Sequence, residues 1–234
     1  MKRIIQWSLF VVMVVNAAGA FAQEAPAELV KKVSARIDQV NNYQAAGKMK
    51  TNVTFLKVPE STVTIYFKKP NKLKIKNEKG ISFVPKGAVS INLSNIINGS
   101  KYTALDAGTD KIGNTTVRVI KLLPDDDNAD VVLSTLYIDE ASQVIRRAKT
   151  TTRENGSYQL EMTYGKYIGY GLPDKIVFTF NVKDYKLPKG VTFDFDDGTQ
   201  AGKTTPSNLK KDQGMAEISF DSYIINKGVP DTVF

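Results

Sequence analysis

The sequence contains no histidine and no cysteine among its 234 residues. Histidine is the commonest acid–base and metal-ligating side chain, and cysteine is the usual thiol nucleophile. Without cysteine there are no disulfide bonds, so a hydrophobic core must hold the fold together. These absences argue against catalysis and favour binding. We therefore expect a protein that is not an enzyme and has no cofactor, catalytic residue or metal site.

The first 22 residues have the organisation of a cleavable secretory leader. Residues 1–3 include the basic Lys2 and Arg3, residues 7–15 form an apolar run, and residues 20–22 form a small-x-small cleavage site. The apolar run is too short to span a bilayer as a helix, and no cysteine follows it to carry a lipid anchor. We expect residues 1–22 to be a cleaved signal peptide and residues 23–234 to form one soluble domain, not lipid-anchored, in a periplasm-like compartment.

The charge balance is modestly basic. Removal of Lys2 and Arg3 with the leader lowers the formal net charge from +8 to +6. Such a balance suits anionic lipid surfaces or acidic partners, and it also fits an ordinary solvated surface. The basic residues are scattered and not clustered with aromatic residues, so nucleic acid is not an expected partner.

The pattern predicts one amphipathic helix followed by a long series of antiparallel strands. Leu29, Val33, Ile37 and Val40 form one apolar stripe, and Asn41-Asn42 is expected to end the helix. Apolar and polar residues then alternate with period two. The predicted strands are 48–55, 63–68, 72–76, 81–83, 102–105, 112–123, 131–138, 144–151, 158–164, 176–182 and 216–224. A short helical connection is predicted at 90–97 and a polar loop at 198–214.

Several short chemical motifs do not have the context that their chemistry needs. The stretch 198–204 resembles a phosphate-binding loop but is one residue short between its glycines, and no helix is expected after it. Ser207 and Lys210 have the spacing of an acyl-enzyme motif without its partner motifs. The acidic stretches 125–130 and 194–197 could bind calcium, but neither follows the EF-hand order, and solvated loops explain both. A carboxylate pair for glycoside hydrolysis stays open by residue type alone.

A set of motifs in fixed order resembles the periplasmic lipoprotein carriers of the outer-membrane lipoprotein-sorting (LolA-like) family. The helix 35–43 is similar to the family's opening helix, and 66–73 resembles its strand that ends in a basic-basic-Pro-Asn turn. Further similar segments are 112–124, 136–147 and the last strand and tail, 218–234. The resemblance implies an α+β, mostly β fold: a large curved antiparallel sheet of about 10–11 strands forming an unclosed half-barrel, covered by an N-terminal helix and a short lid helix.

The resemblance also implies a function and a site. In the family, an apolar cavity holds acyl chains, and the second basic residue of the basic-basic-Pro turn contacts the lid. The matching residue here is Lys69, whose ammonium can hydrogen-bond a carbonyl but lacks the planar fork of arginine. The candidate lipid-binding residues are Phe55, Ile65, Phe67, Leu73, Ile75, Phe83, Leu160, Met162, Phe178 and Phe180. The alternative for these side chains is an ordinary packed core.

The function predicted from the sequence is therefore a periplasmic carrier. It would sequester acyl chains of lipid-modified proteins or lipids for transfer to the outer membrane. Its expected partners are that cargo, a transient inner-membrane donor and an outer-membrane acceptor, and the protein is expected to be a monomer. The alternative is a cell-envelope lipid or lipoprotein sensor, a regulatory binding module with the same fold.

Overall fold

The computed structural model describes residues 24–53, 56–70, 72–77, 101–154, 156–181 and 213–234. The predicted signal peptide, the candidate residues Phe55 and Phe83, the strand 81–83 and the lid helix 90–97 lie outside these residues. Most of the predicted loop 198–214 lies outside them as well, and its last two residues belong to the final strand.

The described chain forms one α-helix and ten β-strands. The helix is α1 (Pro26–Asp38). The strands are β1 (Asn42–Val53), β2 (Leu56–Lys68), β3 (Lys72–Asn77), β4 (Tyr102–Ile112), β5 (Thr115–Pro124), β6 (Val131–Asp139), β7 (Val144–Thr152), β8 (Ser157–Thr163), β9 (Lys175–Asn181) and β10 (Gln213–Ile225). Short 3-10 helices occupy Ile168–Tyr170 and Asp231–Val233. No helix in these described segments is both long enough and apolar enough to cross a membrane.

The bounds of α1 follow from its sequence. Pro26 lies in its first turn, where backbone N–H groups have no partner within the helix, so the N–H that proline lacks is not needed there. Glu28 in the first turn and Arg36 in the last turn have the charges that the helix dipole favours. The helix ends at Asp38, so the prediction that it continues to Asn41-Asn42 was wrong. Val40 has the spacing of the apolar stripe and is buried, but it lies two residues beyond the end of the helix.

All ten strands lie in one antiparallel sheet with the order β3-β2-β1-β10-β9-β8-β7-β6-β5-β4. Strands that follow one another in the chain are neighbours, except that β3 and β4 lie at opposite edges of the sheet, and β10 joins β9 to β1. The described sheet ends at β3 on one side and at β4 on the other and does not close on itself. The prediction of a mostly β fold, built as an unclosed antiparallel half-barrel with an N-terminal helix, is confirmed.

Strand β4 is longer than the sequence pattern predicted. The expected segment was 102–105, whereas the strand continues to Ile112. The additional part is polar and exposed, and a β-bulge between Asp106 and Thr109 shifts its register against β5. Because a strand at the edge of a sheet needs no continuous apolar face, this part carries no period-two signal.

Apolar side chains cover one face of the sheet, which we call the inner face, and α1 lies on it. The helix cluster joins Leu29, Val30 and Val33 of α1 to buried side chains of β5–β10. A second cluster contains Ala45, Met49, Val63, Ile65 and Phe67 of β1 and β2, together with Val40, Leu172, Ile218 and Tyr223. The core therefore lies between the sheet and its helix and continues over the first strands.

Candidate functional site

Eight of the ten candidate lipid-binding residues lie in the described chain, and all eight belong to the two inner-face clusters. Leu160, Met162, Phe178 and Phe180 are buried in the helix cluster. Ile65 and Phe67 are buried in the second cluster, while Leu73 and Ile75 pack against it half-buried. The strand registers join them, because Leu160 pairs with Phe178 and Ile65 pairs with Ile75. Contact with a lipid stays a prediction for each of them.

An aromatic group fills the part of the second cluster that lies beyond the end of α1. The ring centroids of Tyr223 and Tyr167 are 4.9 Å apart, and those of Tyr43 and Phe67 are 5.2 Å apart. The Tyr223 hydroxyl donates a hydrogen bond of 2.8 Å to the carbonyl oxygen of Pro173. Burial raises the pKa of Tyr223 far above its ordinary value, so this hydroxyl stays neutral. The group is largely apolar, and the buried Tyr223 hydroxyl has a hydrogen-bond partner.

A narrow cleft of about 50 Å³ opens between this aromatic group and the end of α1. Its walls include Ile37, Phe67, Leu73 and Phe220. An apolar cavity of about 150 Å³ is needed for a molecule as small as benzene. The cleft therefore marks a seam between α1 and the second cluster, and an acyl chain could enter it only if its walls moved apart.

Polar contacts hold the C-terminal end of α1 against the sheet. The Lys69 ammonium donates a hydrogen bond of 2.7 Å to the main-chain carbonyl of Asp38 and lies 3.1 Å from its carboxylate. Arg36 donates to the side-chain oxygen of Gln143 at 2.9 Å and to the carbonyl of Gly169 at 3.3 Å. Lys69 thus contacts the N-terminal helix, and its predicted contact with a lid at 90–97 lies outside the described residues.

Asn226 fixes the turn between α1 and β1, and the sequence analysis did not single it out. Its side-chain amide donates to the carbonyl of Gln39 at 2.8 Å, and its side-chain oxygen accepts from the backbone N–H of Asn41 at 2.8 Å. The residue has a φ of 56°, a left-handed conformation that asparagine tolerates better than most residues. An Asn directly after a strand was the available signal.

Arg118 is the one buried charge on the inner face that the described strands reveal. Its side chain is 2% exposed, and it contacts the carboxylates of Asp106 and Glu140. Hydrogen bonds from the Gly108 backbone and from Arg118 hold the pKa of Asp106 below its usual range. Arg118 is in phase with Ile120 on β5, so the inner face changes from apolar to ionic at that corner.

Two hydroxyls on the inner face also escaped the sequence analysis. Thr51 and Ser61 are buried, and neither side-chain oxygen has a hydrogen-bond partner. By contrast, the buried hydroxyls of Ser134 and Thr150, under the helix cluster, lie 3.1 Å apart and bond to each other. Isolated serine and threonine in a strand pattern look like solvent-facing positions, so no sequence signal marked Thr51 and Ser61.

The outer face of β2 and β3 is basic, and the segment after β10 lies on it. The Asp231 carboxylate accepts hydrogen bonds from Lys72 at 2.8 Å and from Lys68 at 3.0 Å. These bonds lower the pKa of Asp231 to about 2. Lys72 also lies over the ring of Phe234, 5.7 Å from its centroid. The positive charge of this surface is therefore partly neutralised within the chain.

The acidic stretch 125–130 forms no metal-binding cluster. Within the described segments, no three carboxylate groups converge in a way that could hold a metal ion. Asp125 and Asp126 instead accept hydrogen bonds from Thr103 and from the Asn128 backbone. The second acidic stretch, 194–197, lies outside the described residues.

No protein-family model matches the sequence, and no curated protein is significantly similar to it. Solved structures do match the fold. An outer membrane lipoprotein-sorting protein domain, as its structure is described, from Vibrio parahaemolyticus has a TM-score of 0.56 at 12% identity, over 88% of this chain and 94% of that chain. A LolA superfamily protein from Nitrosomonas europaea has a TM-score of 0.55 at 10% identity, over 91% and 98%.

A third similar structure is a DUF1329 family protein from Desulfovibrio piger, with a TM-score of 0.55 at 11% identity, over 90% of this chain and 98% of that chain. At these identities the similarity shows the fold alone. The chain therefore has a LolA-like fold, as the motif resemblance implied.

Proposed function

We propose that the protein binds acyl chains of lipids or lipid-modified proteins on the inner face of its half-barrel and carries them through the periplasm. The observation that carries this proposal is one apolar face that extends across the described strands and is covered in part by α1. Proteins of this fold include a domain described as sorting outer membrane lipoproteins. The leader predicted at residues 1–22 would deliver the protein to that compartment.

The free energy lost when α1 leaves the inner face is similar to the free energy gained when an acyl chain is buried there. Exposing the three buried apolar side chains of α1, Leu29, Val30 and Val33, costs roughly 5–9 kcal/mol, at about 1.5–3 kcal/mol for each side chain. A long acyl chain gains on the order of 10 kcal/mol from burial, before the costs of association. An acyl chain could therefore replace part of α1 on the inner face at little net cost, which permits both uptake and release.

The arrangement of contacts favours movement of α1 over movement of the sheet. The strands are joined by continuous antiparallel pairing, whereas α1 is held by one apolar stripe and by side-chain contacts near its C-terminal end. In the carrier mechanism, the cargo would come from an inner-membrane donor and leave to an outer-membrane acceptor, with the protein acting as a monomer. A sensor of the same fold would bind the ligand without passing it on.

A tryptophan reporter tests the binding face directly. The only tryptophan in the sequence is Trp7, which belongs to the leader predicted at residues 1–22, so one introduced tryptophan reports alone in the mature protein. In Leu73→Trp the reporter lies on the inner face, and in the matched control Lys76→Trp it lies on the outer face of the same strand. We expect brominated palmitate to quench the first reporter strongly and the second weakly. Equal quenching of the two reporters would refute the proposal.

A transfer assay then separates a carrier from a sensor. Donor vesicles containing a fluorescent diacyl lipid and unlabelled acceptor vesicles are mixed with and without the protein. A carrier accelerates movement of the label to the acceptor in proportion to protein concentration. Stoichiometric binding of the lipid without accelerated transfer would favour the sensor.

A further inference from the structure

Two buried hydroxyls on β1 and β2 have no hydrogen-bond partner and therefore do not stabilise the inner face. The side chains of Thr51 and Ser61 are 6% and 8% exposed, and neither hydroxyl makes a hydrogen bond. A buried hydroxyl without a partner destabilises a protein, since it has lost its bonds to water and gained none in return. Valine and alanine would fill the same positions without that cost.

The strand registers place the two hydroxyls near each other on the inner face. Ser61 lies directly opposite Met49, and Thr51 follows Met49 by two residues on β1, where a β-bulge shifts its pairing to Val58 of β2. On the other side of β1, Thr51 pairs with the buried Ala216 of β10. Diagonal neighbours in regular pairing are about 7–8 Å apart between their backbones, and the bulge adds one residue of β2 to this spacing, so both hydroxyls lie along one short stretch of the inner face. Their surroundings, Met49, Val63 and Ala216, are apolar.

The other buried hydroxyls of the inner face show that this arrangement is not a general property of the sheet. Ser134 and Thr150 are as deeply buried, and their oxygens lie 3.1 Å apart in a hydrogen bond. That pair lies on β6 and β7, among the strands of the helix cluster. Thr51 and Ser61 belong to neither cluster, and Ser61 lies on β2, the strand that carries the candidate residues Ile65 and Phe67.

We propose that Thr51 and Ser61 form a polar subsite that donates hydrogen bonds to the carbonyl oxygen of an ester-linked acyl chain. This inference rests on the proposed function and names its ligand class: an acyl ester, in which the carbonyl stands where the apolar chain begins. A hydroxyl donates to a carbonyl, and a buried apolar surround strengthens that bond. A plain hydrocarbon chain or an ether lipid offers no such acceptor.

The proposal predicts selection between two lipids that differ only in the carbonyl. The probes are 1-palmitoylglycerol, an ester, and 1-hexadecylglycerol, the ether of the same chain length. Affinity is measured on the full chain by displacement of the apolar fluorophore 1-anilinonaphthalene-8-sulfonate. With two hydrogen bonds to the ester, we expect the unmodified protein to bind it roughly tenfold more tightly than the ether.

The variants assign that preference to the two residues. In Thr51→Val with Ser61→Ala, the ester should bind about tenfold more weakly while the affinity for the ether is unchanged. Both substitutions remove a hydroxyl and nearly conserve volume, and circular dichroism confirms folding. The matched control is Ser134→Ala with Thr150→Val, which removes two buried hydroxyls that already have hydrogen-bond partners and should leave the ester preference intact.

The outcomes separate the subsite from the carrier proposal. Equal affinity of the unmodified protein for ester and ether would overturn the subsite and leave lipid binding standing, and so would a preference that survives in the Thr51 and Ser61 variant. Failure of both lipids to displace the fluorophore would overturn the proposed function and the subsite together. An ester preference that disappears only in that variant supports the subsite.

A second pair of probes distinguishes the source of the ester. Dipalmitoylphosphatidylglycerol and a dipalmitoylglyceryl-cysteine peptide carry the same ester groups on a lipid and on a lipid-modified peptide. The ligand whose affinity falls more in the Thr51 and Ser61 variant identifies the source. Loss of affinity for either ligand supports the subsite, and unchanged affinity for both overturns it.

Discussion

The Lys69 ammonium lies 2.7 Å from the main-chain carbonyl oxygen of Asp38, at the residue where α1 ends. A positive charge at a helix C-terminus is favoured by the helix dipole, and the Asp38 carboxylate at 3.1 Å adds an ion pair. This contact joins the end of β2 to the helix that covers the inner face. It is the position that the motif resemblance singled out, and the helix is its partner in the described structure.

Replacing Lys69 by alanine should loosen α1. Because the Lys69 and Asp38 side chains are 30% and 42% exposed, we expect a loss of about 0.5–1 kcal/mol in unfolding free energy, measured by urea denaturation. Release of a bound acyl ligand should be faster. Lys69→Arg should retain most of the contact, and Lys31→Ala, which removes an exposed ion pair on α1, is the control. Unchanged release in Lys69→Ala would refute a role for Lys69 in retaining the ligand.

Asn226 should contribute more to stability than its exposed position suggests. Asn226→Gly keeps the left-handed backbone accessible but removes the bonds to Gln39 and Asn41, so we expect a loss of about 1–2 kcal/mol. Asn226→Ala should lose about 1 kcal/mol more, because alanine is strained at a φ of 56°. Thermal unfolding of both variants checks the order. Equal stability of the glycine and alanine variants would contradict the backbone contribution.

Arg118 should stabilise the corner of the inner face through its guanidinium fork. Arg118→Met leaves Asp106 and Glu140 without a counter-charge, and we expect a loss of about 2–3 kcal/mol in urea unfolding, below the range for fully buried pairs because both carboxylates are partly exposed. Arg118→Lys should fall in between, since lysine keeps the charge without the fork. In the outer-face control Arg147→Met, the loss should stay below about 1 kcal/mol. A similar loss at both positions would show that burial of Arg118 is unimportant.

The segment around Asp231 should detach from β2 and β3 only at a pH low enough to protonate the Asp231 carboxylate. Hydrogen bonds from Lys72 and Lys68 lower the pKa of Asp231 to about 2, whereas an unfolded aspartate titrates near 3.9. The folded pKa is depressed, so the stabilising contribution is complete above about pH 4 and is lost as the pH falls towards 2. Carbon-13 NMR of the Asp231 carboxyl measures this directly. In Lys68→Ala with Lys72→Ala the pKa should return towards 3.9, and a normal pKa in the unmodified protein would contradict the ion pairs.

Removing the unpartnered hydroxyls should make the ligand-free protein more stable. For Thr51→Val with Ser61→Ala we expect a gain of about 1 kcal/mol, or a rise in Tm of about 2–4 °C. Ser134→Ala should have the opposite sign, because it removes a hydrogen bond that is present. A lower Tm in the Thr51 and Ser61 variant would show that these hydroxyls have a structural role.

The strands were predictable because most of them have one apolar face. Leu160 and Met162 are two residues apart on β8, as are Ile176 and Phe178 on β9, so each pair lies on one face of the sheet. A one-residue slip would turn these apolar side chains towards solvent, which fixes the register. The polar end of β4 has no such signal and was missed. The C-terminal end of α1 was misplaced because Val40 keeps the helical spacing although the chain has already turned.

The sequence pattern predicted which side chains lie on the inner face, but it did not predict the hydrogen bonds between them. Alternation assigns Ile65, Leu73 and Phe178 to the inner face, but it contains no information on which polar atoms find partners across the sheet. The satisfied pair of Ser134 and Thr150 and the unsatisfied Thr51 and Ser61 look alike in sequence. Only the pairing of distant strands separates them. Asp231 contacts Lys68 and Lys72, which lie 163 and 159 residues earlier in the chain. Local sequence patterns contain no information on contacts between such distant residues.

The position of β10 determines when the sheet can be completed as the chain is synthesised. Strands β1–β3 and β4–β9 are joined in the described sheet only through β10, which pairs with β1 on one side and with β9 on the other. β1 ends at Val53 and β10 begins at Gln213, so β1 must wait for this partner until more than 150 further residues have emerged. We expect the full domain to assemble in one cooperative step only after its last strand has emerged. Late assembly of this kind would keep the chain unfolded during the export that the proposed function requires.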